Sequence, residues 1–439
     1  MNSDADPVSR GAMGTGTPDA GALTPDNRQG SVVWFLFLMF LVSTLNMADR
    51  QIIGIVAEPI KLEFGLSDTL IGLLGGTAFA LVYPPLGLPI ARLADRFNRR
   101  NILAICLATW SGMTMLCGLA TGFWWLAAAR AGVAAGEAGY APTTHSMIAD
   151  RVSEKRRSSA FAVLVTGISA GALLATVAGA YVSQHYGWRM AFVALGVPGL
   201  IVALLVMTTV AEPARRAAVK TTSAWAAYRK LLASKPFVWC VSASALHLMV
   251  TYAVGAWGIV WFVRFHQMGL ARAGLILGGL AAIAGVLGSL AGGLIGDRLG
   301  RIDRRWLAWW PAVTVFIAAF VGCAAFLTSD VRWAIAGATL AVFLNALYQP
   351  SSYALIQNVA DPAERASAAA MMIFVQNLIG LGLGPLLVGV ASDVLAPSLG
   401  VRSLGMAMAA IFLVNILAAG AYYVAGRAYG RTPAAAQER

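Results

Sequence analysis

Twelve apolar runs of about 20 residues fill most of this 439-residue chain, and that is the length a helix needs to cross the hydrocarbon core of a bilayer. Inside that core there is no water to bond with backbone N–H and C=O groups, so a spanning segment must be a helix or part of a closed barrel. The alternating pattern of a barrel strand is absent. The runs cover 32–60, 68–91, 102–120, 123–149, 159–184 and 189–210, then 237–264, 271–295, 306–327, 332–357, 367–394 and 402–426. Charged residues make up only 12% of the chain, against roughly 25% in a soluble domain. The sequence therefore predicts an all-α membrane protein.

The two sets of six runs are copies. Residues 140–160 (YAPTTHSMIADRVSEKRRSSA) align without a gap on YQPSSYALIQNVADPAERASA, 208 positions later, matching Tyr140 with Tyr348, Pro142 with Pro350 and Arg157 with Arg365. LADRFNRR at 93–100 recurs as IGDRLGRI at 295–302, an offset of 202. Internal repeats of this kind build many membrane transporters, whose site lies between the halves. The expected arrangement is two pseudo-symmetric six-helix bundles, 31–210 and 237–427.

Between them, residues 211–236 are polar, with Trp225, Tyr228 and Leu231 at helical spacing around Arg229 and Lys230. This linker reads either as carrying a short helix at the membrane interface or as plain connection. Residues 1–30 are rich in Gly, Asp, Pro and Thr and read as a disordered tail; they lack the zones of a signal peptide. Residues 428–439 read as a second tail.

The net charge of +12 raises the question of nucleic acid, but its placement answers it. The two tails and the loops after even-numbered spans hold 24 of the 32 Lys and Arg residues. The opposite side holds Lys61, Arg189, Arg264, Arg272, Arg332 and Arg402. Such a bias is the positive-inside signal, placing both termini in the cytoplasm, in a multi-pass protein expected in the plasma membrane. No nucleic-acid partner is expected. Cys106, Cys117, Cys240 and Cys323 all fall inside apolar runs and have no metal-ligand spacing, so they read as small buried side chains.

The repeated loops Ala91–Arg100 and Gly293–Arg301 are similar to the signature of the major facilitator superfamily, a Gly, any, Leu, Ala, Asp, Arg, any, Gly, Arg pattern between helices 2 and 3. Ala91 and Asn98 replace the two glycines in the first copy; Gly293 and Gly300 stand in the second. The resemblance implies that Asp95 and Asp297, with Arg96, Arg99, Arg298 and Arg301, form a cytoplasmic latch holding the outward-open state. The alternative is a merely solvated, basic loop. Within the superfamily the chain resembles the spinster branch of lipid and lysolipid transporters, through ADRQIIGIVAEPIKLEFGLSDTLIGLL (48–74), LPIARLADRFNRRNI (88–102), RAGVAAGEAGYAP (130–142) and NLIGLGLGPLLVGVASD (377–393).

An ionisable residue in the bilayer is costly and marks a functional candidate. The first span carries Asn46, Asp49 and Arg50, and the fourth carries Arg130 and Glu137. Glu137 lies thirteen residues from both Trp124 and Asp150, near mid-membrane. Arg130, seven residues earlier, shares its face at about 10 Å distance along the axis. Asp49, seventeen residues after Val32, lies at a depth similar to that of Arg130. The resemblance to the superfamily, in which helices 1 and 4 are neighbours lining the cavity, implies an Asp49–Arg130 pair that a proton arriving on Asp49 releases, with Glu137 taking the proton or the new pairing. A static pair that only positions two helices is the competing reading. Arg50 points about 100° from Asp49, free to anchor its helix elsewhere or to hold an anionic headgroup. Glu58 reads as solvated, and His247 as a hydrogen-bonded packing residue.

The repeat supplies apolar and polar partners but not the charges. Tyr252, Trp257, Phe343, Asn345, Tyr348 and Gln349 could line a cavity for an amphipathic molecule or be ordinary packing. Gly380, Gly382, Gly384 and Pro385 mark a place where backbones approach or a helix bends. There is no phosphate-cradling Gly-Lys-Ser/Thr loop, no catalytic constellation, and no cofactor or metal is called for. The expected protein is a monomeric, proton-coupled, alternating-access carrier of an amphipathic molecule, which the resemblance to the spinster branch implies is a lysolipid or sphingoid lipid. The alternatives are an exporter of drugs or organic anions, and a uniporter.

Overall fold

A computed structural model describes residues 25–212, 224–361 and 364–431. Most of the reading of 1–30 as a disordered tail, the middle of the linker and the tail at 432–439 lie outside them. Twelve membrane-crossing helices account for nearly all of the described chain. The first half comprises α1 (Pro25–Ile55), α2 (Asp68–Gly72, a π-turn Leu73–Thr77, then Ala78–Arg96), α3 (Arg99–Gly118), α4 (Phe123–Glu137 and Tyr140–Arg151), α5 (Glu154–Leu174, a π-turn Ala175–Gly179, then Ala180–Tyr186) and α6 (Trp188–Thr209). The second comprises α7 (Lys235–Phe265), α8 (Leu270–Ile302), α9 (Trp306–Leu327), α10 (Val331–Ala346 and Gln349–Val359), α11 (Arg365–Val375, a π-turn Gln376–Leu381, then Gly382–Leu399) and α12 (Ser403–Phe412 and Val414–Arg431).

Ten stretches of the described residues are long and apolar enough to cross a membrane. One of these, Ser367–Arg431, holds two passes: the chain reverses at Gly400, whose φ of 54° suits glycine. The twelfth pass is the broken α4, which is less apolar because it carries Arg130 and Glu137.

The boundaries depart from the sequence reading in three places. Helix α1 starts at Pro25, inside the presumed tail, and stops at Ile55, with a separate short helix Ala57–Phe64 following the break at Val56. Helix α8 continues to Ile302, so Gly293–Arg301 is helix rather than loop, as is 91–96 at the end of α2. The linker contains a helix, Ala224–Ala233, docked on the second half through buried Leu231 and a Lys230–Asp361 ion pair.

The breaks in α4 and α10 have one cause. Pro142 and Pro350 lack an N–H, and each ring crowds the carbonyl four residues back, at Ala138 and Ala346. The first segment of α4 ends at Glu137 and that of α10 at Ala346, so both halves bend at the same point of the repeat.

Lipid is as apolar as leucine and gives helices little drive to associate, so small residues and hydrogen bonds hold the bundle. Gly167 lets α5 lie against Phe40 of α1, and Gly136 lets α4 lie against Trp110 of α3: an added Cβ would sit 2.7 Å from the Phe40 carbonyl oxygen and the Trp110 nitrogen. Buried apolar side chains form one cluster through the first half that continues into the part of the second half farthest from the chain termini. The termini-side part of the second half has a core of its own, around Phe237, Leu355 and Tyr422. The halves thus share a core on one face only.

Candidate functional site

The buried charges of α1 and α4 meet at the inner side of the first half. Arg50 Nε donates to Glu137 Oε2 at 2.7 Å, with Glu137 fully buried and the Arg50 side chain 19% exposed. The Arg50 guanidinium lies over Tyr83 and Phe79, 4.5 and 4.9 Å from the ring centres. These rings stack on each other, a geometry in which the π-faces stabilise a cation. Arg130 is also buried; it donates to the backbone carbonyl of Asp49 at 3.1 Å and lies 5.8 Å from the Phe79 ring centre.

The expected Asp49–Arg130 ion pair is therefore replaced by Arg50–Glu137. Neighbours on a helix point about 100° apart, and α1 is turned so that Arg50 faces α4 while Asp49 reaches Arg130 only through its backbone. Asp49 Oδ1, Glu137 Oε1, Asn46 Nδ2 and Arg130 Nε are buried without a hydrogen-bond partner. A buried polar network with open valences is energetically expensive; here it places two carboxylates and two guanidiniums within one site, with spare acceptors and donors.

The second half reaches this site through an apolar cluster. Phe79 and Ala80 of α2, Ala134 of α4 and Leu381 of α11 are buried together, with Tyr83 and Tyr252 packed against them. Tyr252 donates to Asn377 Oδ1 at 3.1 Å. Of the other proposed cavity residues, Gln349 is exposed and Phe343 half-buried. Trp257 and Tyr348 are core instead. Trp257 is 1% exposed and donates to the Pro385 carbonyl at 2.9 Å, and the Tyr348 ring packs against His247, tilted by 60° with ring centres 4.2 Å apart. His247 bonds to Asn415 Oδ1 and the Asn345 carbonyl at 2.8 and 3.2 Å, the packing role expected of it. That carbonyl belongs to the last turn before the α10 break.

Among the residues assigned to the latch, Arg96, Asp297, Arg298 and Arg301 are exposed; the Asp95 side chain lies outside the described set. Arg99 differs: it is 3% exposed and bonds within its own half to Asp150, Glu212 and Ser146 at 2.5, 2.9 and 2.9 Å. It ties the start of α3 to the ends of α4 and α6.

Sequence reasoning missed a second ionic cluster on the face away from the termini. Arg264 at the end of α7 bonds Glu58 at 2.6 Å and Asp68 at 2.8 Å, so Glu58 is paired rather than solvated. Asp68 also accepts from Lys61 and from Ser392 of α11, both at 2.6 Å. Beside it the helices touch through glycine: a Cβ on Gly72 would lie 2.5 Å from the Pro385 carbonyl, and one on Gly54 2.9 Å from that of Gly255. Gly380 likewise lies against Leu248, and Gly384 against Met249. Lys61 and Arg264 were visible as far-side charges, but the partners of Arg264 lie about two hundred residues away and leave no local signal. On the same face Trp188 and Arg189 donate to Glu63 at 2.6 and 2.7 Å, and these bonds hold its carboxyl below the usual glutamate range.

Two repeated bundles of membrane-spanning helices, closed together on one face around buried charges, define a multi-pass membrane transporter. The chain belongs to the Major Facilitator Superfamily, whose family model matches residues 39–385. It is similar to an MFS-type efflux pump of Mycolicibacterium smegmatis, 34% identical over 90% of this chain and 92% of that one. Protein spinster homolog 1 of Xenopus tropicalis is 28% identical over 88% of this chain and 79% of its own length. A sphingosine-1-phosphate transporter of Danio rerio is 27% identical over 81% and 75%. A solved bacterial homolog of the human lysosomal transporter spinster, in an inward-facing and unoccupied conformation, superposes with a TM-score of 0.84 at 28% identity, covering 92% of this chain and 99% of that one.

Proposed function

We propose that this protein is a proton-coupled, alternating-access carrier of a lysolipid, sphingoid lipid or similar amphiphile, working as a monomer. The observation that carries the reading is the Arg50–Glu137 pair, a buried carboxylate holding a partly exposed guanidinium over two aromatic rings. A proton on Glu137 removes its charge and its hold on Arg50. The freed guanidinium then has a headgroup phosphate or carboxylate as its natural partner, and its planar fork suits either. Asp49 and Arg130 form the companion site, where the unpartnered Asp49 oxygen accepts a proton or a new donor. The apolar cluster of Phe79, Leu381 and Tyr252 receives the chain of the amphiphile. The names of the spinster relatives favour this substrate class.

With the basic loops in the cytoplasm, the closed face is external and the molecule faces inward. A bacterial inner membrane is the proposed location, with the halves divided at the linker. The exposed latch residues are free in this state and engage when the carrier faces outward. A C-terminal fluorescent-protein fusion that stays dark, alongside a secreted-phosphatase fusion that is active, would reverse the orientation.

The principal test is uptake of a fluorescent lysolipid into proteoliposomes under an imposed pH gradient. Wild type should accumulate it; Glu137→Gln should lose gradient-driven accumulation yet retain exchange of internal for external substrate. Accumulation that persists in Glu137→Gln with the same pH dependence overturns the coupling role. A second reading, export of drugs or organic anions, is favoured by the efflux pump at 34% identity. Thermal-shift screening against both compound classes separates the two.

A further inference from the structure

We infer that the far face is locked by two reciprocal helix caps, in which each half satisfies the first-turn amides of a helix belonging to the other. The four N-terminal N–H groups of a helix have no partner within it. In α2, Ser67 Oγ takes the Leu70 amide, at 3.2 Å. The amides of Asp68 and Thr69 go across the boundary to Asp393 of α11, at 2.9 and 2.7 Å, and the Thr69 hydroxyl donates to the same carboxylate at 2.6 Å. On the other side of the molecule, the Ala271 amide in the first turn of α8 donates to Gln184 of α5 at 2.6 Å. The residue preceding α8 is Gly269, which has no side chain to do this.

The two arrangements are one device made twice. Thr69 and Ala271 are 202 positions apart, the offset of the repeated 93–100 and 295–302 segments. Gln184 and Asp393 are 209 apart, within one residue of the 208 that relates the longer repeated segment. In each, a side chain near the far end of α5 or α11 caps the helix it packs on, α8 or α2. Both helix pairs join opposite halves, so neither cap survives separation of the halves on this face, and both re-form on closure.

The copies differ in charge. Asp393 is anionic and meets three donors at a helix N-terminus, where the helix dipole favours negative charge; bonds to an ionised acceptor are about twice as strong as neutral ones. Gln184 is neutral and takes one amide. Asp393 therefore holds the closed face more strongly, and Gln184 is the weaker, tunable member.

This inference rests on the alternating-access reading, and the experiment distinguishes the two. Spin labels at Leu62→Cys, on the short helix Ala57–Phe64 that leads into α2, and at Val394→Cys on α11 report the separation of the halves beside the α2–α11 seam, and labels at Tyr186→Cys and Leu275→Cys report the α5–α8 seam; all four side chains are exposed, and the native cysteines are replaced. Asp393→Ala should enlarge a longer-distance population roughly fivefold to tenfold, the equilibrium shift of a lost cap, and should do so at both seams because the halves move as bodies. Gln184→Ala should give a smaller shift in the same direction. Gln184→Glu puts a carboxylate at the α8 N-terminus and should shrink the open population, a gain that misfolding does not produce. If the wild-type distances change with pH or added lysolipid while all three variants follow wild type, the caps are not the lock and alternating access stands. If the distances stay fixed in wild type and variants alike, both readings fall.

Discussion

At the scale of single residues, the site turns on which neighbour of Asp49 faces α4. Arg50 does, and the consequence is a bond and two aromatic contacts that lysine cannot copy, since its ammonium lacks the planar fork. Arg50→Lys should weaken lysolipid binding roughly tenfold, a loss of about 1.4 kcal/mol, measured by titration calorimetry in detergent. The four charged residues were legible because charge inside an apolar run is rare and needs a reason. Their pairing was not, because two helices at similar depth can meet at any rotation, and only packing fixes it. Trp257 and Tyr348 illustrate the same gap: an aromatic ring in a membrane helix reads alike whether it lines a cavity or props a neighbour. At the far face, Glu63 gives a pH prediction. Its carboxyl is held low by Trp188 and Arg189, so its contribution is complete above the ordinary glutamate value of about 4.3 and is lost as pH falls through the depressed value. Glu63→Gln should flatten the acid limb of a melting-temperature profile and leave the neutral range little changed.

At the scale of elements, the repeated prolines do most to shape function. Pro142 ends the first segment of α4 beside Glu137, so the residue proposed to take the proton sits at a bend and not within a rigid rod. Pro142→Ala restores a donor and removes the clash; it should raise thermal stability and slow turnover several-fold in the proteoliposome assay. Glycines give a sharper contrast. Gly72→Ala forces a methyl against the Pro385 carbonyl, while Gly75→Ala meets nothing nearer than Ile53 at 4.0 Å. The first should cost roughly 1–3 kcal/mol of packing, read as a lower melting temperature with a more open far face, and the second should behave as wild type. Existence and order of the helices were legible from run length alone. The short helix after Val56, the π-turns and the helical continuation of the 293–301 signature were not, since each depends on what the neighbouring helix offers the backbone.

At the scale of the whole molecule, the shared core on one face and the separate core on the other describe a carrier caught with one side sealed. Arg264 is central to that seal, bonding two carboxylates of the opposite half. Arg264→Ala leaves Glu58 and Asp68 facing each other with only Lys61 between them and should increase labelling of a Tyr252→Cys probe by an impermeant maleimide from the far side, about tenfold if one buried charge pair is lost at around 1.4 kcal/mol or more. The bends at Pro142 and Pro350 also carry a chronology. A trait that both halves possess was present in the single ancestral unit before it was copied, whereas a trait confined to one half arose, or was erased, afterwards. The bend is in both halves, while the carboxylate beside it is only in the first. The bend is thus the older trait, and the asymmetry between a half with charges beside its bend and a half with none there is the later one.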